Sequence, residues 1–205
     1  MVRKYAILIG ATLALVLVDQ LAKYVVLETL STAFEGATST SERLGRFFSA
    51  APPPGESGYH FAPTAGVTVS ESFFRFRYAE NPGAAFGILR GVPPDIRGPL
   101  FQLITLGAVV FISLSYSRLK GTREERWASV GFMLVMGGAL GNWVDRLARG
   151  FVIDFLEAHW FDKAYWPAFN IADSAICVGV ACLLIDSFVR KEVPGAAATP
   201  VLKES

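Results

Sequence analysis

Two aspartates, Asp154 and Asp173, lie beside long apolar runs in the C-terminal third of the chain. A carboxylate in an apolar setting resists ionisation, and when two such groups meet, one of them keeps its proton. Such a pair can deprotonate water with one group and donate a proton with the other. The residue types therefore permit hydrolysis by a carboxylate pair, although a proton path in a transporter also uses membrane carboxylates.

A stripe of polar residues precedes the first aspartate at helical offsets: Asn142, Asp145, Arg146 and Arg149. This spacing places all of them on one face of a helix. A salt-bridge stripe at a membrane interface would explain the charged members. It would not explain a neutral amide one turn further in, which favours a site.

Two shorter pairings add to the polar set. Asp19 and Lys23 are four positions apart in the first apolar run, close enough on a helix to form an ion pair. That pair fits both a side chain reaching for the interface and a role in shaping a site. Asn170 lies three positions before Asp173 and therefore shares its helix face.

The composition places these residues in a membrane protein. The chain has 205 residues, of which 52% are hydrophobic and 18% charged, against about 25% charged residues in soluble domains. Its net charge of +1 gives no general attraction to nucleic acid. Cys177 and Cys182 are interpreted as packed or lipid-facing apolar residues. The two histidines have no metal-ligand spacing, so we expect no metal and no cofactor.

A membrane-spanning helix needs about 20 mostly apolar residues. Four segments meet this requirement, and they predict an all-α integral membrane fold built as a bundle of four transmembrane helices. Gly137, Gly138 and Gly141 in the third segment would allow close helix packing. The predicted spans are 5–27, 98–116, 127–147 and 168–189.

The distribution of Lys and Arg predicts the orientation. Basic residues cluster before the first span, between the second and third spans, and after the fourth span. All three clusters fall on one side, so we expect both termini in the cytoplasm and segments 28–97 and 148–167 in the periplasm. Both aspartates then lie near the periplasmic face. The first span is read as an uncleaved helix, and the tail 191–205 is expected to be disordered.

The outer segment 28–97 divides into two parts. Residues 31–66 are rich in Ser, Thr, Pro, Gly and Ala and predict an irregular loop with one short amphipathic helix near 43–48. Partial alternation of apolar residues over 67–78 predicts short strands. The "ENPGAAFG" turn ends them.

Three other classes of function are possible for a protein with these residues. A membrane scaffold would not need the aspartates. A proton-coupled transporter typically has internal repeats and carboxylates near the midplane, whereas no repeat is visible and these carboxylates lie at one interface. A soluble aspartic protease carries Asp-Thr/Ser-Gly turns, which neither aspartate has.

Five motifs in their order resemble one family, the bacterial lipoprotein signal peptidases (signal peptidase II). The resemblance covers the chain from residue 5 to about 190. The motifs are "DQLAK" at 19–23, "NPGAAFG" at 81–87, "GNWVDRL" at 141–147, "GFVIDF" at 150–155 and "FNIADS" at 169–174.

The resemblance implies a four-span inner-membrane aspartyl endopeptidase with a small periplasmic β-rich cradle. It would remove the signal peptide from prolipoproteins on the amino side of a diacylglyceryl-modified cysteine. Membrane lipids and cyclic-peptide antibiotics such as globomycin would be its other partners. Segment 31–66 departs from the family because it is longer than the usual first periplasmic loop.

The same resemblance implies a role for each site residue. Catalysis would fall to Asp154 and Asp173. Substrate binding would fall to Asn81, Gly83, Asn142, Arg146 and Asn170. Supporting roles would fall to Asp19, Lys23 and Asp145.

Overall fold

The structure is a computed structural model that describes residues 2–49, 51–55, 58–83, 89, 91–161 and 163–191. The described residues form five α-helices: α1 (Val2–Leu30), α2 (Thr40–Phe47), α3 (Pro94–Ser117), α4 (Arg126–Arg149) and α5 (Ile171–Lys191). They also form four strands: β1 (Val67–Ser70), β2 (Phe74–Asn81), β3 (Val152–Trp160) and β4 (Ala164–Tyr165). The strands make one antiparallel sheet in the order β1-β2-β3-β4.

Four of the helices are long and apolar enough to cross a membrane, namely α1, α3, α4 and α5. This confirms the prediction of four membrane helices. The sheet accompanies them, so the fold is mostly helical rather than all-α. The fourth predicted span corresponds to α5, which begins at Ile171 and not at 168. It begins later because the backbone of Phe169 is hydrogen-bonded to Phe155 and Leu156 of β3.

Helix α4 lies at the centre and packs against α5, α1 and α3. Its glycines let the backbones approach closely. A Cβ added to Gly138 would lie 2.3 Å from the carbonyl oxygen of Ala172, and one added to Gly131 would lie 2.8 Å from that of Gly179. Small residues at such crossings give membrane helices the close packing that the hydrophobic effect cannot supply between them.

The outer segment is packed on the end of α1 rather than extended away from it. A buried cluster joins Leu27 and Leu30 of α1 to Phe47 of α2, Tyr78 of β2 and Phe155 of β3. The predicted amphipathic helix near 43–48 corresponds to α2, which begins at Thr40 because the Ser39 side chain caps its N-terminus by accepting from the Glu42 N–H. Segment 31–66 therefore packs against strands β2 and β3.

The strands β2 and β3 bring two distant parts of the chain together. Gly150 has φ +83° and turns the chain from α4 directly into β3, a conformation that glycine adopts without steric cost. In the register of the two strands Ala79 lies opposite Asp154, and the pairing is irregular between Phe76 and Ala79. The end of β2 is thereby placed beside the start of β3.

We expect Gly138→Ala to lower the stability of the protein, since its methyl group would enter the backbone of α5. Overpacking of this kind costs about 1–3 kcal/mol. Gly107→Ala in α3 is the matched control because no atom lies within 4 Å of the added Cβ. Thermal unfolding in detergent would measure both. Equal midpoints for the two variants would contradict the close approach of α4 and α5.

Candidate active site

The two aspartates come from different elements and meet at one asparagine. Asp154 lies near the start of β3, and Asp173 lies in the first turn of α5. Asn170, directly before α5, donates from Nδ2 to Asp154 Oδ1 at 2.7 Å, and its backbone N–H donates to Asp173 Oδ2 at 3.3 Å. The Asp173 N–H donates in return to Asn170 Oδ1 at 2.9 Å. Asn170 therefore links both carboxyl groups, one through its side-chain amide and the other through its backbone N–H.

Asn142 on α4 extends this link toward α1. Its Nδ2 donates to Asp173 Oδ1 at 2.7 Å. Its Oδ1 accepts from Lys23 Nζ at 3.2 Å and from Asn170 Nδ2 at 3.1 Å. Because an ammonium group can only donate, the atom of Asn142 that faces Lys23 must be the oxygen. The orientation of this amide is therefore determined by its neighbours.

The turn that follows β2 lies against the same site. Asn81 donates from Nδ2 to Asp154 Oδ2 at 3.0 Å, and the Gly83 N–H donates to Asn81 Oδ1 at 3.0 Å. Arg146 donates from Nη2 to the Gly83 carbonyl at 3.0 Å. Residues 84–87 of the "NPGAAFG" motif lie outside the described residues.

A set of buried charged side chains lies next to the site and is joined to it through Asn142. Lys23 Nζ lies 2.7 Å from Asp19 Oδ2 and 2.8 Å from Asp145 Oδ2, and all three side chains are fully buried. Asp145 also pairs with Arg149. The two cations balance the two carboxylates. Asp19 accepts from the Ala172 N–H at 3.0 Å, so this set also holds the start of α5.

Arg146 differs from Asn142, Asp145 and Arg149 on the same helix because it is half-buried rather than buried. Its guanidinium lies 4.1 Å from the centroid of the Phe101 ring. Among the described residues its Nε has no hydrogen-bond partner. The predicted polar stripe therefore splits: Asn142, Asp145 and Arg149 are buried, while Arg146 is only half-buried.

The environment of Asp154 favours its protonated form. The residue is only 2% exposed. Burial chiefly, and the charge of Asp173 next, raise the pKa of Asp154 to about 8, although the hydrogen bond from Asn81, the charge of Lys23 and the hydrogen bond from Asn170 oppose the rise. Asp173 is half-buried and within reach of water. The pair can therefore act as an acid and a base in water-dependent cleavage.

All ten site residues predicted from the sequence lie in this connected network. One member was missed: Gln20 is buried and donates to Asp145 Oδ1 at 2.9 Å and to the Gly141 carbonyl at 3.2 Å. Its position beside Asp19 in "DQLAK" was a signal that could have found it. Asp186, another aspartate of α5, lies away from this network and accepts from the Ala128 N–H at 3.2 Å. Asp162 lies outside the described residues.

In the part of the chain that the structure describes, no three His, Cys, Asp or Glu side chains are grouped so that they could hold a metal ion.

The sequence was compared with protein families and characterised relatives. The model of the family described as signal peptidase (SPase) II matches residues 11–189. A lipoprotein signal peptidase of Anaeromyxobacter sp. (strain Fw109-5) is 43% identical over 201 residues, which cover 95% of this chain and 90% of that protein. The long outer segment thus lies within that match. A lipoprotein signal peptidase of Geobacter metallireducens is 43% identical over 126 residues, which cover 62% of this chain and 74% of that protein.

Solved structures show the same fold. A bacterial membrane enzyme determined at 2.3 Å resolution superposes with a TM-score of 0.63 over 95% of this chain and 94% of its own, at 23% identity. The likeness supports the arrangement of four helices and a small sheet.

We expect Lys23→Met to destabilise the protein strongly, because it leaves Asp19 and Asp145 buried without their shared cation. Removing one partner of a buried ion pair costs about 3–5 kcal/mol. Arg43→Met is the control, since its pair with Glu28 is more than a third exposed and such pairs contribute up to about 1 kcal/mol. Chemical denaturation in detergent would compare them. Similar losses for both variants would contradict the buried charge set.

A second prediction concerns the dependence of stability on pH. The folded-state pKa of Asp154 is about 8, above the unfolded value of about 3.9, so the free energy of unfolding falls as the pH rises from 4 to 8. The slope from this group is at most about 1.4 kcal/mol per pH unit. Asp154→Asn removes it, so we expect this variant to be more stable than wild type at pH 8 and little different near pH 4.

Asp95→Asn is the matched control because Asp95 is exposed on α3 and the change of charge is the same. Unfolding midpoints measured from pH 4 to pH 8 would test the prediction. Parallel curves for wild type and Asp154→Asn would show that Asp154 does not hold an extra proton in the folded state.

Proposed function

This chain belongs to the signal peptidase II family, and on that premise we propose that it is an intramembrane aspartyl endopeptidase whose catalytic pair is Asp154 and Asp173. The family membership makes it a lipoprotein signal peptidase, a protease that removes signal peptides from prolipoproteins. The proposal adds the chemistry, the residues and the position of the cut, on the amino side of a diacylglyceryl-modified cysteine.

The observation that carries this proposal is the hydrogen-bonded bridge from Asp154 through Asn170 to Asp173. Asn170 holds both carboxyl groups in one mostly buried setting, and in aspartic proteases two carboxyl groups held close together share one proton. The backbone positions support it, because one group lies on a strand and the other on a helix. Neither carboxyl group depends on a mobile loop for its place.

The proposed steps follow from the environments of the two groups. Asp154 holds the proton of the pair, since its pKa is raised to about 8. Asp173 takes a proton from water, and the water oxygen attacks the carbonyl carbon of the scissile peptide. Asp154 gives its proton to the carbonyl oxygen. The carbon–nitrogen bond then breaks as the amine of the modified cysteine takes the proton held by Asp173. One hydroxyl of the intermediate returns its proton to Asp154, which leaves a carboxylic acid product and the starting state of the pair.

The surrounding polar groups would hold the substrate. Arg146 is half-buried beside the Gly83 carbonyl, and a guanidinium suits backbone and ester carbonyl oxygens. Asn142 and Asn170 orient the carboxyl groups that they contact. Asn81 and Gly83 would bring the turn after β2 over the bound chain. Asp19, Lys23 and Asp145 would support these residues from the buried side.

The family and the four apolar helices indicate a multi-pass protein of the bacterial inner membrane. We further propose one peptidase domain over 1–190, with both termini in the cytoplasm and the site near the periplasmic face. The clusters of Lys and Arg support this orientation. A cysteine anchored by acyl chains would present its amide bond at that depth, so membrane lipids would contact the site. Globomycin-like cyclic peptides would inhibit by blocking the carboxyl pair.

We expect Asp154→Asn and Asp173→Asn each to lower cleavage by about 10⁴-fold or more, because catalytic groups that act as a unit lose nearly all activity when one is removed. The measurement is the mass shift of a diacylglyceryl-modified prolipoprotein on a gel, with purified enzyme in detergent. Asp95→Asn should cleave like wild type. An unlipidated prolipoprotein should remain uncut.

Undiminished cleavage by either folded aspartate variant would contradict the catalytic pair. Cleavage of the unlipidated protein at the wild-type rate would contradict the recognition of the modified cysteine. Thermal unfolding of each variant would show whether a lost activity reflects a lost fold.

A further inference from the structure

The buried carboxylate of Glu80 lies on the opposite face of β2 from Asn81. The side chain of Glu80 is only 6% exposed. Its oxygens accept from the backbone N–H of His60 at 2.9 and 3.0 Å and from that of Phe61 at 3.1 Å. They also accept from the Tyr78 hydroxyl at 2.7 Å and lie 2.6 Å from His60 Nδ1. Glu80 therefore attaches segment 31–66 to β2.

This attachment lies in the short stretch of β2 that follows its irregular pairing with β3. The pairing of β2 with β3 is irregular between Phe76 and Ala79, so the ladder is interrupted just before the end of the strand. Successive side chains of a strand point to opposite faces. On one face of β2, Glu80 therefore binds the backbone of segment 31–66. On the other face, its neighbour Asn81 contacts Asp154 at 3.0 Å.

Segment 31–66 also contacts the residue that precedes β3. The ring of His60 stacks on Phe151 with centroids 4.7 Å apart, and Phe151 lies between Gly150 and β3. In the register Glu80 is opposite Ile153, the residue before Asp154. The contacts of Glu80 and His60 thus join the two backbone segments that bring Asn81 and Asp154 together.

We propose that Glu80 is a positioning residue for the catalytic pair. By anchoring the end of β2 to segment 31–66, it keeps the Asn81 amide hydrogen-bonded to Asp154. The inference rests on the proposed function, since it needs Asp154 to be a member of that pair. It also gives segment 31–66 a part in the site, through His60 and Phe61.

The consequence for catalysis has a definite direction. The hydrogen bond from Asn81 stabilises ionised Asp154 and so lowers its pKa, against the larger effect of burial. The charged groups that act on Asp154 are Lys23 from α1, Arg146 from α4 and Asp173 from α5. Those groups remain when Glu80 is replaced. Loss of the Asn81 hydrogen bond alone would raise the pKa of Asp154 further.

The test is the pH dependence of kcat/KM for cleavage of a diacylglyceryl-modified prolipoprotein between pH 6 and pH 10. In wild type the rate should fall at high pH as Asp154 loses its proton. For Glu80→Ala we expect the rate to drop about tenfold and this alkaline fall to move up by about one pH unit, as for the loss of one hydrogen bond to a charged group. Asn81→Ala should show the same shift, and the double variant should show no larger one.

Glu71→Ala is the matched control, because Glu71 is exposed in the turn between β1 and β2. It should leave the rate and the pH profile unchanged. Glu80→Gln keeps one side-chain oxygen as an acceptor, so it should fold even if Glu80→Ala does not and should give a smaller shift in the same direction. The positioning role is wrong if both folded Glu80 variants keep the wild-type alkaline fall, or if the shifts of Glu80→Ala and Asn81→Ala add.

Failure of the proposed function would look different. If Asp154→Asn still cleaved the substrate, the catalytic pair would be wrong whatever the behaviour of Glu80. If Asp154→Asn were inactive and the Glu80 variants differed from wild type only in thermal stability, the pair would stand and the positioning role would be overturned.

Discussion

The structure depends on the burial of the Lys23 amino group between Asp19 and Asp145. An ion moved from water into a protein interior costs several kcal/mol unless partners at good distances compensate it. Here the compensation comes from two carboxylates at 2.7 and 2.8 Å, with Arg149 balancing the second negative charge. Since Asp19 also accepts from the Ala172 N–H, the charge set joins α1, α4 and α5 at one point, directly beside the carboxyl pair.

The packing of the helices and this charge set require each other. A Cβ on Gly141 would lie 2.8 Å from Asp19 Oδ2, so α4 must be bare at this position for the carboxylate to fit. Gly138 brings α5 close in the same way. The approach of the backbones then puts Asn142 within reach of both Lys23 and Asp173. Hydrogen bonds among buried polar groups, rather than apolar contacts, therefore set the distance between the groups that would do the chemistry.

The outer segment completes the low-dielectric setting. Phe47 at the end of α2 is 2% exposed; its ring lies over the Arg149 guanidinium and its carbonyl accepts a hydrogen bond from it. Orphan carbonyls at a helix C-terminus are natural partners for such a cation. The segment covers the buried charges at Phe47 and holds β2 at Glu80. Burial raises the pKa of Asp154 to about 8, which favours the protonated state that an acid in peptide hydrolysis requires.

Much of this was readable from the sequence, because local patterns encode local structure. Apolar runs of about 20 residues predict the four helices, the spacing of Asp19 and Lys23 predicts their ion pair, and the motifs identify the candidate carboxyl pair. Only the tertiary structure decided that Lys23 also binds Asp145, that Glu80 holds His60, and that β2 and β3 pair with an irregular register. Those partners lie far apart along the chain, and hydrogen bonds between distant residues depend on helix crossing and strand register, which spacing within a segment does not specify.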